Sequence, residues 1–184
     1  MHLRKGNSLA IAAAIISIGC ITVSAQTLTT LHSFDGGDGR SPEATLVQGS
    51  DGNFYGTTAL GGAHFQGTVF KIDTTGTLTT LHSFSGSPND GANPVAALVQ
   101  GSDGNFYGTT AEGGEHFQGT VLRITPAGAL TVLHSFSGYP GEGAVPFAGL
   151  VQGTDGNFYG TTALGGANSE GTVFKLSSSS SSNN

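Results

Sequence analysis

Eight side chains have the types from which a polar-ligand site is built: Asp35, Asp38, His64, Asp90, Glu112, Glu115, His116 and Glu142. Carboxylates accept hydrogen bonds from sugar hydroxyls and ligate hard cations, and imidazole adds a donor and an acceptor near neutral pH. The stretches "DGGDG" (35–39) and "NDGAN" (89–93) set such oxygens beside turn-forming glycines, which makes calcium the one candidate cofactor, although neither has EF-hand spacing. Glu112 and Glu115 form a candidate carboxylate pair, the equipment of glycoside hydrolysis, where the separation of the two groups decides the chemistry. Other catalytic signals are absent: no Gly-x-Ser-x-Gly elbow, no His-Glu-x-x-His, no phosphate loop, and a single cysteine, Cys20, near the N-terminus. Near-identical repeats also disfavour an enzyme, because an active site needs different residues in different roles.

The elements that must position these residues come from a repeat. "DGNFYGTT" stands at 51–58, 103–110 and 155–162, a period of 52 residues. Each unit resolves into four segments. The first is the apolar run "ATLVQG" (44–49), "AALVQG" (96–101) or "AGLVQG" (148–153), which reads as a strand covered on both faces. The second is "NFYGTT". In the third, "GTVFKI" (67–72) and its echoes, Thr68, Phe70 and Ile72 alternate with Val69 and Lys71, the period-two signature of a strand. The fourth is "TLTTLHSF" at 27–34 and 77–84, with "ALTVLHSF" at 129–136. Asp51-Gly52, Asp103-Gly104 and Asp155-Gly156 predict hairpins with a primed turn.

Four strands in about 50 residues make one propeller blade. The expected fold is therefore all-β: antiparallel four-stranded blades in a propeller-like array of three repeats over 26–176. The last unit lacks a fourth segment and the mature N-terminus carries a spare one, so residues 27–34 are expected to pair onto 171–176 and complete the last blade. Propellers typically have 4 to 8 blades. Three blades thus close tightly, or two chains form a homodimeric six-bladed ring, or the chain is a short member of a longer series.

In such a blade the two tight turns fall on one side and the longer loops on the other. Those loops are 35–43, 85–95 and 137–147 between units and 59–66, 111–118 and 163–170 within them, and they hold nearly all the differences between repeats, with the eight candidate residues. Loops on a rigid scaffold are where binding concentrates. His32, His82 and His134 occupy equivalent outer-strand positions on separate blades, too far apart to share one ion, so no metal site is assigned to them.

Residues 1–25 read as a signal peptide: Arg4 and Lys5 precede an apolar run from Leu9, and the expected cut follows Ala25. The apolar stretch is too short for a membrane span, so none remains after removal; lipid attachment at Cys20 is the alternative to free secretion. The tail 177–184, "SSSSSSNN" with its flank, reads as disordered. Twelve acidic residues face six basic ones, two of them in the leader, a field that repels nucleic acid and anionic lipid.

The pattern "LVQGSDGNFYGTTALGGAHFQGTVFKIDTTGTLTTLHSFSG" resembles the GloVer tandem repeat of exported bacterial proteins, with "DGNFYGTT", "GGA", "GTVFK" and "LHSF" in that family's order and spacing over essentially the whole mature chain. The resemblance implies a bacterial cell-surface or secreted protein, often carrying a C-terminal sorting anchor, and no established activity. Here a serine-rich tail stands in place of any anchor. The paired glycines Gly61-Gly62, Gly113-Gly114 and Gly165-Gly166 are similar to those of kelch blades, but the kelch tryptophan is missing. The reading that follows is an extracellular binding or interaction module whose long-loop face engages a glycan or protein. Phe65, Phe117 and Tyr139 are the aromatics available to a sugar. The alternatives are a propeller hydrolase or lyase acting on extracellular polysaccharide, and a structural spacer or assembly unit.

Overall fold

A computed structural model describes residues 26–88, 90–138 and 141–177; the expected leader at 1–25 and almost all of the expected tail lie outside them. The described chain contains strands and no helix, hence no helix able to cross a membrane. Its strands are β1 (Val47–Gln48), β2 (Phe54–Thr58), β3 (Thr68–Ile72), β4 (Leu78–Ser83), β5 (Gly91–Ala92), β6 (Val99–Gln100), β7 (Phe106–Thr110), β8 (Glu112–Gly113), β9 (Thr120–Ile124), β10 (Leu130–Ser135), β11 (Gly143–Ala144), β12 (Val151–Gln152), β13 (Phe158–Thr162), β14 (Leu164–Gly165) and β15 (Thr172–Leu176).

Each repeat folds as one antiparallel sheet with its strands in chain order: β1-β2-β3-β4, then β6-β7-β9-β10, then β12-β13-β15. The most covered strand is the second of each sheet, not the first. All of Phe106–Thr110 is buried, because this strand lies mid-sheet with a neighbouring sheet against it. The first segment contributes only two paired residues, Val47 to Tyr55 and Gln48 to Phe54 in unit one.

The hairpin between β1 and β2 closes by a different route from the expected primed turn. Only Gly52 takes a positive φ, +84°, while Asp51 does not. Gly52 N–H donates to the Gly49 carbonyl at 2.9 Å, and Gly49 N–H to that of Asn53 at 2.8 Å. Aspartate is needed for its side chain: the Asp51 carboxylate accepts from Asn53 N–H (3.1 Å), the Asn53 amide (2.8 Å) and the Tyr55 hydroxyl (2.8 Å). The turn is thereby tied to the first core tyrosine.

The core lies between sheets. Tyr55, Val69, Phe84, Leu98, Phe106, Leu122 and Ile124 fill the first junction, and Tyr107, Val121, Phe136, Leu150 and Phe158 the second. Each buried aromatic contributes roughly 1.5–3 kcal/mol by leaving water. Polar contacts fix the spacing: Ser50 N–H donates to Gln100 Oε1 (3.0 Å) and the Thr57 hydroxyl to the Ala96 carbonyl (3.2 Å), repeated by Ser102 with Gln152 (2.9 Å) and Thr109 with Ala148 (3.1 Å). Sheets joined face to face in chain order form a propeller-like array of repeats.

The expected completion of the last blade by residues 27–34 is corrected. These residues form no strand, and among the described residues the third sheet has three strands where the first two have four. Instead the leading segment rests on the first sheet, where the Phe34 ring meets Phe70 edge-on at 5.2 Å. A strand needs an unpaired edge beside it, and the open edge of the array, β15, belongs to the opposite terminal sheet.

Candidate functional site

The long loops do gather at one end of the sheets, pinned by short ladders that cross from one unit to the next. The linker after the first sheet supplies β5, which pairs with β8 inside unit two: Gly91 with Gly113, Ala92 with Glu112. The next linker repeats this with β11 and β14, and Arg40 bridges Leu60 in unit one. The double glycine makes the ladder feasible. Gly113 has φ +78°, and a Cβ there would sit 2.7 Å from the Ala92 nitrogen.

Past each ladder the chain makes a tight loop whose tip residue is held in left-handed backbone, φ +60° at Phe65, +59° at Phe117 and +61° at Ser169. A phenylalanine in this region is uncommon and strained. The loop presents it to solvent: Phe65 is 76% exposed and Phe117 70%.

Between units one and two the ladder, the linker and the loop tip enclose an open cleft of about 410 Å³ bordered by Gln66, Ser85, Ser87, Ala92, Glu112 and Phe117. The corresponding cleft between units two and three, about 330 Å³, has Leu164 and Ser169 in the places of Glu112 and Phe117. Its chemistry is therefore unlike that of the first. Another cavity of about 410 Å³ opens at the tight-turn end between the second and third sheets, beside Asp103, Tyr107 and Arg123, whose buried Nε has no hydrogen-bond partner among the described residues.

The eight sequence-predicted residues divide into two groups. Asp38, Asp90 and Glu142 each clasp the histidine of the preceding "LHSF" segment: His32 Nε2 to Asp38 at 2.6 Å, His82 to Asp90 at 2.9 Å, His134 to Glu142 at 2.6 Å. Asp90 is buried, and its carboxylate also accepts from Ser85 N–H (3.0 Å) and Gly91 N–H (2.8 Å). Burial pushes Asp90 up, but the His82 hydrogen bond, the backbone donors and the His82 charge outweigh it and hold the carboxyl below its ordinary value. Glu142 likewise accepts from the Ser137 N–H and hydroxyl. Asp35 caps its own turn through Gly37 N–H (2.8 Å) and Asp38 N–H (3.2 Å). These acids anchor loops.

The second group is exposed near Phe65 and Phe117: Glu112 on β8, and His64, Glu115 and His116 on the loops. Glu112 accepts a long 3.4 Å bond from the Asn93 amide. Glu115 N–H donates to the Ser135 hydroxyl at 2.8 Å, which fixes the backbone and leaves the carboxylate outward. Among the described residues no three His, Cys, Asp or Glu side chains gather as a metal-ion group. Sequence reasoning missed the histidine–acid clasp, although its signal was present: in every unit "LHSF" is followed by an acid six or eight residues after the histidine.

A family model, the Gloeobacter/Verrucomicrobia repeat, matches residues 17–184. The chain belongs to the Gloeobacter/Verrucomicrobia repeat family. No curated protein matches this family member in sequence. Among solved structures it is similar to virginiamycin B lyase from Staphylococcus aureus, with 18% identity, a TM-score of 0.43, and coverage of 73% of this chain and 41% of the lyase. A streptogramin B lyase structure gives 17% identity and a TM-score of 0.44, covering 76% of this chain and 42% of that one. The repeat-family chain thus spans about two fifths of the length of either.

Proposed function

We propose that this repeat-family chain is an exported binding module, an open propeller-like array whose long-loop face engages a glycan or a protein at or beyond the cell surface. The observation that carries the reading is the pair Phe65 and Phe117, apolar rings held outward on strained loop tips. Exposed aromatics in fixed backbone suit stacking against a sugar face or anchoring a partner side chain. Glu112, Ser85, Ser87 and Gln66 beside Phe117 supply acceptors and donors for hydroxyls. The leader supports export, and mass spectrometry of the exported protein checks it by finding Gln26 as the first residue.

A glycan array and a surface-protein pull-down with the purified protein test the binding reading. The expected result is a retained ligand whose affinity drops at least tenfold in Phe117→Ala and in Glu112→Gln. Blank results from both sink it. Turnover of an extracellular polysaccharide, abolished by Glu112→Gln or Glu115→Gln, favours the hydrolase or lyase reading in its place.

A further inference from the structure

The two terminal sheets are the unmatched halves of an interface that the chain makes twice within itself. On the outgoing side Val69 and Val121 are 0% and 1% exposed beneath the next sheet, whereas the equivalent Val173 is 80% exposed. Thr57 and Thr109 donate across a junction, while Thr161 is exposed. On the incoming side Leu98 and Leu150 are 5% and 8% exposed, against 51% for Leu46. Among the described residues β15 pairs on one edge only, with β13.

The leading segment is posed for that edge. Its sequence "TLTTLHSF" (27–34) is identical to 77–84, the segment that pairs β4 onto β3, and the β3 sequence "TVFK" recurs in β15. Phe34 meets Phe70 at 5.2 Å and 67°, the same geometry with which Phe136 of the second unit's outer segment meets Phe174 of the third sheet. The Leu31 carbonyl crowds Gly76 as the Leu81 carbonyl crowds Gly128. Residues 27–34 therefore sit as the outer strand of a sheet that should precede the first, and the rest of that sheet is missing from this position.

We infer that a second copy of this chain supplies it: residues 27–34 of one copy add to β15 of another. The register follows that of β3 with β4, so Thr172 faces Ser33, Val173 faces His32, Phe174 faces Thr30, Lys175 faces Thr29 and Leu176 faces Leu28, with Leu31 at the bulge that Leu81 occupies. Tyr159 then stacks on Phe54 as Tyr55 stacks on Phe106. Two copies joined twice in this way hold six sheets, within the usual range for a closed ring. The inference is independent of any ligand on the long-loop face.

Light scattering of the purified protein tests it. The expected mass is two copies, or a concentration-dependent series of copies if the ring does not close. Val173→Glu, at a position exposed in the single chain, should return one copy that still unfolds cooperatively, its far-ultraviolet spectrum losing no more than the strand that residues 27–34 form on pairing. In a Cys20→Ser background, mixing a Thr172→Cys protein with a Ser33→Cys protein should yield a disulfide-linked pair, and a His64→Cys partner should not. A single-copy mass at every concentration overturns the inference, as does a mixture in which Thr172→Cys links no better to Ser33→Cys than to His64→Cys.

Discussion

Tyr55 and Phe106 stack with ring centroids 3.9 Å apart across the first junction, and Tyr107 with Phe158 repeats the contact at the second with the same 27° tilt. Such a pair adds roughly 0.5–1.5 kcal/mol beyond area burial. Phe106→Ala should therefore destabilise the protein by about 3–5 kcal/mol, read as a lower urea midpoint, and Phe106→Leu should recover part of it. Equal stability of the alanine variant and the parent would show that the junctions do not carry the fold.

The clasp between His82 and Asp90 predicts an acid limb. Because the Asp90 carboxyl is held below its unfolded value, which is about 3.9, its contribution is present above that pH and is lost as pH falls through the lower folded value. Asp90→Asn should flatten the decline of unfolding free energy below about pH 4. At neutral pH it should cost roughly 1–3 kcal/mol, because buried donors lose a charged acceptor. Urea titrations across the acid range measure both, and a parallel acid limb in the variant contradicts the assignment.

Tyr55 should titrate late. Burial, then the hydrogen bond to Asp51, then the charge of Asp51 push its hydroxyl up to about 12. The stability tied to the neutral phenol is complete below the unfolded value, about 10, and disappears as pH rises through about 12. An ultraviolet phenolate titration should show one step move to lower pH in Asp51→Asn; no movement would mean that Asp51 does not hold the hydroxyl.

Gly113→Ala should damage the ladder behind the cleft. The new Cβ meets the Ala92 nitrogen at 2.7 Å and the residue must keep φ +78°, a strain of roughly 1–3 kcal/mol. Hydrogen exchange at the Ala111 N–H, which donates to the Asn93 carbonyl at 3.0 Å, should quicken while exchange in β2 and β3 stays slow. Uniform acceleration would place the damage in the whole fold.

What the sequence made legible was local. Period-two alternation in "GTVFKI", the Asp-Gly turns and the 52-residue phase located the long strands and put the variable loops on one face. What escaped it depends on which distant segment lies alongside. Residues 27–34 match 77–84 letter for letter, yet only the latter lie beside a free edge and become a strand. Asp38, Asp90 and Glu142 looked like ligand-binding acids because a sequence shows charge and not the histidine that meets it. His64, Glu115 and His116 kept their exposed loop positions because neither strand pairing nor a core claims them, while Glu112 is exposed although its backbone pairs with Ala92 in the β5–β8 ladder.

The two tight turns per unit have a consequence for how the chain reaches its fold. With β2, β7 and β13 all reading "FYGTT", no side chain tells β1 which of them to choose, nor β4 whether to take "TVFKI" of β3 or "TVFKL" of β15. Only proximity does, through hairpins closed over Gly49–Asn53 and Asp73–Thr77. Short loops zip in microseconds, well before distant segments meet, so the correct mate is won by speed and not by affinity. Cutting or lengthening these connections should leave the native state little altered and yet fill refolding with exchanged, kinetically trapped pairings.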